Sequence, residues 1–484
     1  MKRFHAAVAA HALARRNAGG GSAPVVGYDS LSFTSSFGHF IATYNQAGRI
    51  LWIARVVGGS ITPGLMTTDS LGNIIVHGTV NTQATAYNSD TTPFSPLVPW
   101  AGTSDIYLVK YSPSGFVSWV AGITGSSTEI MTSQAIDTAN NIYLCGYGSS
   151  VPLSFVGTAG TTTLAGSASF ITFLTKFSPA GAVQWTFRVI TAGVISGPIA
   201  TDSGNNVILC GSIGTTSRTF RDNGSGTVTL VGASATSGHI LKYDTDGAIQ
   251  WGTVTGVPVT YVAIDSLNNI VITGSYSTTS TLTGTDATTV TLTTAGAADT
   301  YVARYSPAGA LLWATSIGGT VAETPTRLAV DSSNNIYVVG TYTSSSVTVN
   351  GTDGGTTTLA NGGSTDTYLV KYNAAGVIQW TNNISGVTGE ISGCVSIDSS
   401  NNVYLSGGFS SATLTIGSTT LTKTSPTFDT YFVKYNSAGA IQWVTRATCT
   451  SVAVTPTAVA TPSATTIVLS GVYRGVGTFY SVGF

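Results

Sequence analysis

The sequence predicts an all-β protein, a seven-bladed β-propeller whose four-stranded blades carry β-ribbon insertions. Three observations lead to this prediction: a motif at long, regular intervals, two β-hairpins within each interval, and a half-repeat near each end of the chain. The motif is Gly-x-x-x-Trp, and its successive tryptophans lie 62 to 67 residues apart. The series is Trp52, Trp119, Trp185, Trp251, Trp313, Trp380 and Trp443. Such a period without helical patterning is typical of a closed ring of small sheets.

One repeat shows how a blade is built. In residues 366–409, the turn Asn-Ala-Ala-Gly joins the strand-like runs DTYLVKY and VIQWTNNI, and the turn SSNN joins GCVSID and VYLSGGF. Two hairpins of this kind make one four-stranded blade. Between hairpins lies a Thr- and Gly-rich segment such as residues 412–425, ATLTIGSTTLTKTS, for which we predict a separate β-ribbon.

The two ends of the repeat series are complementary. The series opens at residues 39–56 with a Trp-bearing hairpin alone and finishes at residues 458–473 with the other type of hairpin alone. Joining these half-blades completes the seventh blade and removes exposed sheet edges. We therefore divide the chain into an Ala- and Arg-rich tail with a Gly-rich linker, residues 1–30, and one propeller domain, residues 31–484.

Small residues recur at fixed places in each repeat and predict how the blades stack. A glycine lies within one strand of every copy, at Gly78, Gly146, Gly211, Gly274, Gly340, Gly407 and Gly471. Glycine weakens a strand unless another group must approach closely. We expect each indole to pack on this small-residue patch of an adjoining blade.

The regular spacing of the repeats also places ionisable side chains at equivalent positions. An aspartate opens a turn in six copies, at Asp69, Asp137, Asp202, Asp265, Asp331 and Asp398. Calcium binding is one interpretation, but a single carboxylate per turn favours a structural role, since aspartate bonds its own backbone in turns. A cation recurs in the Tyr-bearing strand, at Lys110, Lys176, Lys242, Arg304, Lys371 and Lys434. Its recurrence at the same position of each strand favours an internal ion pair over binding of a polyanion.

Other ionisable residues show no catalytic pattern. Glu129, Glu323 and Glu390 precede the first strand of three blades, where we expect solvated loop charges or, as the alternative, side chains that line one face of the ring. Histidines are few, and no nucleophile, metal or acid–base constellation stands out. The four cysteines are too irregularly spaced for a disulfide framework or zinc site. We predict no cofactor and no metal.

Composition argues against nucleic acid as a partner and against a membrane-spanning segment. Charged residues make up 8% of the chain and the formal net charge is -1. This balance provides no electrostatic footprint for nucleic acid. The sequence also contains no transmembrane span.

The N-terminal tail has no place in the repeat pattern. Its Ala-rich centre is flanked by basic residues and followed by NAGGGSAP. We interpret it as a short docking helix that binds through Phe4, Val8 and Leu13, in preference to a signal peptide.

The runs DTYLVKYNAAGVIQW and VSIDSSNNVYLSGGF resemble the bacterial-type β-propeller repeat called the SBBP repeat, over about residues 38 to 484. That resemblance implies the architecture and no catalytic residues. The Gly-x-x-x-Trp hairpin also resembles the tryptophan-docking repeat of quinoprotein dehydrogenases. Those enzymes carry adjacent cysteines, and no two cysteines are neighbours here.

These observations predict a non-catalytic structural propeller that binds other protein subunits, including copies of itself. The predicted location is the surface of a virion or cell, a filament, or the extracellular space. A glycan- or ligand-binding adhesin is the alternative, and an enzyme is the least favoured interpretation.

Overall fold

The computed structural model describes residues 30–165, 170–190, 197–449, 454–463 and 465–481. These residues form 39 β-strands and no helix, which confirms the all-β prediction. Consequently, no helix suited to crossing a membrane occurs in the described part of the chain.

The strands follow one another in short antiparallel hairpins. The first thirteen are β1 (Ser30–Asn45), β2 (Ile50–Val57), β3 (Ile61–Thr68), β4 (Ile74–Val80), β5 (Thr85–Tyr87), β6 (Asp105–Tyr111), β7 (Val117–Thr124), β8 (Glu129–Ile136), β9 (Ile142–Gly148), β10 (Leu153–Gly157), β11 (Gly160–Leu164), β12 (Ile171–Phe177) and β13 (Val183–Arg188). The next thirteen are β14 (Ile199–Thr201), β15 (Val207–Ser212), β16 (Ser217–Arg221), β17 (Thr227–Val231), β18 (Gly238–Tyr243), β19 (Ile249–Thr255), β20 (Tyr261–Ile264), β21 (Ile270–Tyr276), β22 (Ser280–Thr283), β23 (Thr289–Leu292), β24 (Asp299–Tyr305), β25 (Leu311–Gly319) and β26 (Glu323–Val330). The last thirteen are β27 (Ile336–Tyr342), β28 (Ser346–Asn350), β29 (Thr356–Ala360), β30 (Asp366–Tyr372), β31 (Ile378–Ile384), β32 (Glu390–Ile397), β33 (Val403–Phe409), β34 (Thr413–Ile416), β35 (Thr419–Thr422), β36 (Asp429–Tyr435), β37 (Ile441–Cys449), β38 (Val454–Ser463) and β39 (Thr466–Tyr480).

Seven four-stranded antiparallel sheets form the blades, which confirms the seven-bladed propeller. We name the strands of each blade a to d, with strand a nearest the centre of the ring. In that order the blades are β3, β4, β6 and β7 (blade 1); β8, β9, β12 and β13 (blade 2); β14, β15, β18 and β19 (blade 3); β20, β21, β24 and β25 (blade 4); β26, β27, β30 and β31 (blade 5); β32, β33, β36 and β37 (blade 6); and β38, β39, β1 and β2 (blade 7).

Blade 7 closes the ring with strands from both ends of the series. Strand β1 pairs with β39 from Ser30 opposite Tyr480 to Asn45 opposite Thr466. The far end of β39 also pairs with β37 of blade 6, where Ala447 lies opposite Phe479. The predicted joining of half-blades is therefore the observed closure.

The predicted ribbons protect the outer edges of the blades. Ribbon β10–β11 of blade 2 pairs with strand d of blade 1, and ribbon β28–β29 of blade 5 pairs with strand d of blade 4. The tips of four ribbons bond to the c–d turns of their own blades, as where Thr158 N–H donates to Gly181 O at 3.0 Å. Covered edges of this kind cannot pair with another chain.

Alternating strand directions give the ring two faces. The turn face carries the a–b and c–d turns of every blade, and the opposite connection face carries the b–c and d–a connections. The hydrophobic core lies between neighbouring sheets, as where Tyr143 and Leu174 of blade 2 cluster with Leu209 and Leu241 of blade 3.

Candidate functional site

A channel runs through the centre of the ring between the innermost strands of all seven blades. Its cavity has a volume of about 910 Å³. One apolar residue from each blade in turn lines it: Met66, Met131, Ile199, Val262, Leu328, Val395 and Val459. A β-bulge interrupts strand a of blades 1, 2, 5, 6 and 7, and the bulged residues face this cavity. Bulges redirect side chains locally, so they determine which side chains face the cavity.

Arg327 lies in this channel beside the bulge of blade 5. Its Nη1 donates to Tyr261 Oη at 3.0 Å and to Thr326 O at 2.8 Å, and its Nη2 donates to Thr457 O at 3.1 Å. The guanidinium carbon also lies 5.1 Å from the centre of the Tyr261 ring. Because Tyr261 belongs to blade 4 and Thr457 to blade 7, this one side chain connects three blades across the channel.

A neutral polar pair lies on another wall of the channel. His77 Nδ1 is 2.7 Å from Gln134 Oε1, and Gln134 Nε2 donates to Thr67 Oγ1 at 2.9 Å. Burial lowers the pKa of His77 to about 4, so the imidazole is uncharged at neutral pH. The formal charge of the channel therefore comes from Arg327.

Three seams between blades contain a buried carboxyl pair, each with an aspartate from strand c and a glutamate from strand a of the next blade. The pairs are Asp105 with Glu129, Asp299 with Glu323, and Asp366 with Glu390, and none of these side chains is more than 1% exposed. The expectation of solvated loop charges at the glutamates was wrong. The parallel bridges beside them draw the glutamates inward: Glu129 N–H donates to Ser104 O at 2.8 Å, and Glu390 N–H to Thr365 O at 2.8 Å.

Burial dominates the electrostatics of these pairs. Burial, with the nearby carboxyl group of Asp105, raises the pKa of Glu129 to about 7. Burial likewise raises the pKa values of Glu323 and Glu390, although each accepts a serine hydroxyl, as where Ser344 Oγ donates to Glu323 Oε1 at 2.5 Å. Like charges in contact and away from water favour retention of a proton.

The seven indoles join neighbouring blades at the turn face. In six seams the ring lies over the glycine of the next blade's c–d turn: Trp52 on Gly115, Trp119 on Gly181, Trp185 on Gly247, Trp251 on Gly309, Trp313 on Gly376, and Trp380 on Gly439. Trp443 reaches blade 7, where its Nε1 donates to Gln46 O at 3.0 Å. In these six seams the glycine of one motif thus receives the tryptophan of the preceding motif.

The strand glycines have a different partner from the expected indoles. Gly274 lies opposite Tyr301 of the same blade, and a methyl group at Gly274 would be 3.0 Å from that ring. Gly78, Gly146, Gly340 and Gly407 similarly face Tyr107, Phe173, Tyr368 and Tyr431, while Gly211 and Gly471 lie opposite His239 and Phe40. The expectation was wrong because strand d carries each indole to the outer turn face, whereas strand b holds its glycine inside the sheet.

The turn aspartates cap their own turns and bind the repeated cation. Asp69 Oδ1 accepts the N–H groups of Leu71 and Asn73 at 3.0 and 2.8 Å, and its Oδ2 lies 2.8 Å from Lys110 Nζ. Burial opposes ionisation, yet the bonds from Lys110 and Asn73 leave the pKa of Asp69 below its usual value. The same pairing joins Lys242 to Asp202, Arg304 to Asp265, and Lys371 to Asp331.

Asparagines of the a–b turns link successive blades. Asn268 has a φ of +63° and accepts the N–H of Ser203, one blade back, at 2.9 Å. Equivalent bonds run from Ser70 to Asn140, from Thr138 to Asn205, from Ser266 to Asn334, and from Ser332 to Asn401. Blade 1 has Gly72 at this position, with a φ of +76°. Sequence reasoning assigned these residues to turns and missed their contacts between blades.

The cysteines and the docking residues of the tail are the remaining residues considered in the sequence analysis. Cys145, Cys210 and Cys394 are buried and unpaired, and burial raises the pKa of the Cys145 thiol to about 12. No group of three or more His, Cys, Asp or Glu side chains suited to a metal ion occurs among the described residues. The proposed docking residues Phe4, Val8 and Leu13 lie outside the described part of the chain.

Comparison with known proteins supports the repeat architecture. No family model matches the chain. It is 28% identical over 481 residues to an uncharacterized WD repeat-containing protein of Acanthamoeba polyphaga mimivirus, with 82% of this chain and 34% of that protein covered. This chain therefore spans about a third of that relative's length. The relative and the seven-bladed structure identify a β-propeller repeat protein, and the finer SBBP assignment stays a prediction.

Similar solved structures include two at low sequence identity. A protein of unknown function from Bacteroides caccae is 11% identical, with 70% of this chain and 89% of that chain covered and a TM-score of 0.33. Virginiamycin B lyase from Staphylococcus aureus is 9% identical, with 89% of this chain and 99% of that chain covered and a TM-score of 0.32.

Proposed function

We propose that this propeller is a non-catalytic structural module that binds other protein subunits in a larger assembly at the surface of a virion or cell, or in a filament. The similarity to a WD repeat-containing viral protein supports an interaction role. That relative is about three times as long as the matched segment, so a module within a larger structure fits its size.

One observation carries the proposal: the repeated ionisable side chains join blades to one another instead of converging on a reacting atom. Lys110 binds Asp69 within blade 1 and donates to Pro179 O of blade 2 at 3.1 Å. The carboxyl pairs lie at seams, closed to solvent. A ring stiffened in this way is a rigid platform whose loops are free to contact partners.

The tail provides the first test, because we assign docking to Phe4, Val8 and Leu13. Light scattering of the purified full chain and of a chain lacking residues 1–25 compares their masses in solution. We expect the full chain to self-associate and the truncated chain to be monomeric, with Phe4→Ala/Val8→Ala/Leu13→Ala reproducing the loss. An unchanged mass after truncation would remove the docking role.

A matched pair of variants identifies the face that binds. Val387 on the connection face and Leu71 on the turn face are 76% and 72% exposed. A single exposed aspartate is tolerated by the fold at either place, since neither side chain is packed. We expect Val387→Asp or Leu71→Asp, but not both, to lower the mass of the assembly. Equal masses for both variants and the parent would argue against binding through these loops.

A further inference from the structure

We propose that the central channel binds a small organic oxyanion, a carboxylate or phosphate group on an apolar body, at Arg327. This site is independent of the protein-binding role. The channel volume of about 910 Å³ lies within the range of organic-ligand sites, about 300–1,000 Å³.

The charge of the channel is unbalanced. No Asp, Glu or Lys lies among the described residues that line it. Arg327 forms no ion pair with a carboxylate in the described part of the chain, whereas the repeated cations of four blades each have an aspartate partner. A desolvated cation without a counter-charge is unfavourable, and an anion entering the channel relieves that cost.

The guanidinium is held in one orientation before any ligand arrives. The ring of Tyr261 supports one side, and the Thr326 and Thr457 carbonyl oxygens accept its N–H groups. Tyr261 Oη, these two oxygens and the neighbouring Cys394 thiol account for four of the five N–H donors of arginine, so one remains for a ligand. A charged N–H donor held in one orientation suits a carboxylate or phosphate oxygen.

The rest of the channel favours an apolar body over a second charge. Met66, Met131 and Ile199 line blades 1 to 3, beside the uncharged polar side chains of His77 and Gln134, whereas Arg327 extends from blade 5. His77, the other basic side chain of the lining, is uncharged at neutral pH because it is buried. One oxyanion attached to a hydrocarbon group therefore matches both walls.

Calorimetric titration of the full chain at constant ionic strength tests the site, with sodium benzoate and phenyl phosphate as probes and choline chloride as the cationic control. We expect saturable binding of one or both anions and none of choline. Arg327→Gln is expected to weaken binding by about tenfold or more, because it removes the positive charge. Arg327→Lys keeps the charge without the fixed orientation of the guanidinium group, so we expect intermediate affinity.

Arg446 provides the matched control, because it lies on strand d of blade 6, at the outer side of the ring, and stacks 5.3 Å from the Tyr480 ring. Arg446→Gln changes the net charge as Arg327→Gln does, and we expect it to bind the anions with parental affinity. Should Arg327→Gln fail to fold, Arg327→Lys decides the question. The proposal is overturned if neither probe binds the parent, or if a folded Arg327 variant binds as tightly as Arg446→Gln.

Discussion

Asp105 and Glu129 belong to neighbouring blades, yet their carboxyl groups meet at the seam with neither side chain exposed to solvent. Burial and mutual repulsion raise the pKa of Glu129 to about 7 from 4.5, so the pair holds a proton below about pH 7 and releases it above that pH. Two further seams repeat the arrangement, with raised pKa values at Glu323 and Glu390. Proton binding therefore contributes to cohesion of the ring at three places.

We predict that the seam of Asp105 and Glu129 loses stability as pH rises from about 4.5 to 7. A raised folded-state pKa contributes stability that is complete below 4.5, the value for the exposed group, and is lost as pH rises to about 7. The buried histidines act in the opposite direction around and below their ordinary pKa of 6.5, because burial lowers their pKa values in the fold. Scanning calorimetry of the parent and of a variant without the titrating glutamate separates the two effects.

Glu129→Gln isolates one pair, because its amide does not titrate and donates to Asp105. We expect the variant to gain stability relative to the parent at about pH 8 and to show little difference at about pH 5. A Tm difference between the parent and Glu129→Gln that is the same at pH 5 and pH 8 would contradict a shared proton at this seam.

Gly309 is predicted to be sensitive to an added side chain, because it has a φ of +86° and an added Cβ would lie 2.6 Å from Thr285 Cγ2 and 3.0 Å from the Trp251 ring. Gly354 is the matched control, with a φ of +83° and open space around it. Alanine at either position costs about 1–2 kcal/mol for the left-handed backbone. Overpacking adds about 1–3 kcal/mol at Gly309 alone. Chemical denaturation followed by tryptophan fluorescence compares the two variants, and equal losses would show that close packing by Thr285 and Trp251 does not restrict this position.

Asn268 is predicted to contribute through both its backbone and its side chain. Asn268→Ala loses the bond to Ser203 and strains the left-handed turn, for a total of about 2 kcal/mol. Asn268→Gly relieves the strain, as Gly72 does in blade 1, and loses about 1 kcal/mol. The denaturation midpoints of the two variants distinguish these effects. If glycine is as harmful as alanine, backbone strain has no part in the result.

Arg304 is predicted to be replaceable by lysine but not by a neutral residue. Lysine occupies this position in blades 1, 2, 3, 5 and 6, so Arg304→Lys is expected to change stability by less than about 1 kcal/mol. Arg304→Met leaves Asp265 buried without its cation and is expected to lose about 3–5 kcal/mol. Thermal melts at low and high salt measure both variants. A small loss for Arg304→Met would mean that the Asp265 carboxylate is held by its turn alone.

The ring, its seven blades and its closure were predictable because they depend on periodicity, which a single sequence displays. The strand glycines were assigned to the wrong partner because a period shows that Gly274 needs space but not whether Tyr301 or an indole fills it. Choosing between them requires knowing that Trp251 lies on an outer strand at the turn face, which only the assembled blade reveals.

The channel and seam residues were harder to predict for different reasons. Arg327 is unique, since the equivalent bulge-side positions hold Ser133, Cys394 and Ala458, so no repetition drew attention to it. The carboxyl pairs did leave a signal, because Glu129 follows Asp105 by 24 residues and the other two pairs keep that spacing. Interpreting it requires the parallel bridge that brings one blade's strand a beside the previous blade's strand c.

The pairing of β1 with β39 sets an order for folding during synthesis. Residues 30–45 leave the ribosome early, but their partner strand extends to Tyr480. Until translation has passed that residue, the nascent chain has two unpaired sheet edges, one at β1 and one at the most recently synthesised blade. A ribosome that stalls before β39 releases a chain in which both edges are unpaired. Such a chain is prone to aggregate with others of its kind and to be bound by chaperones.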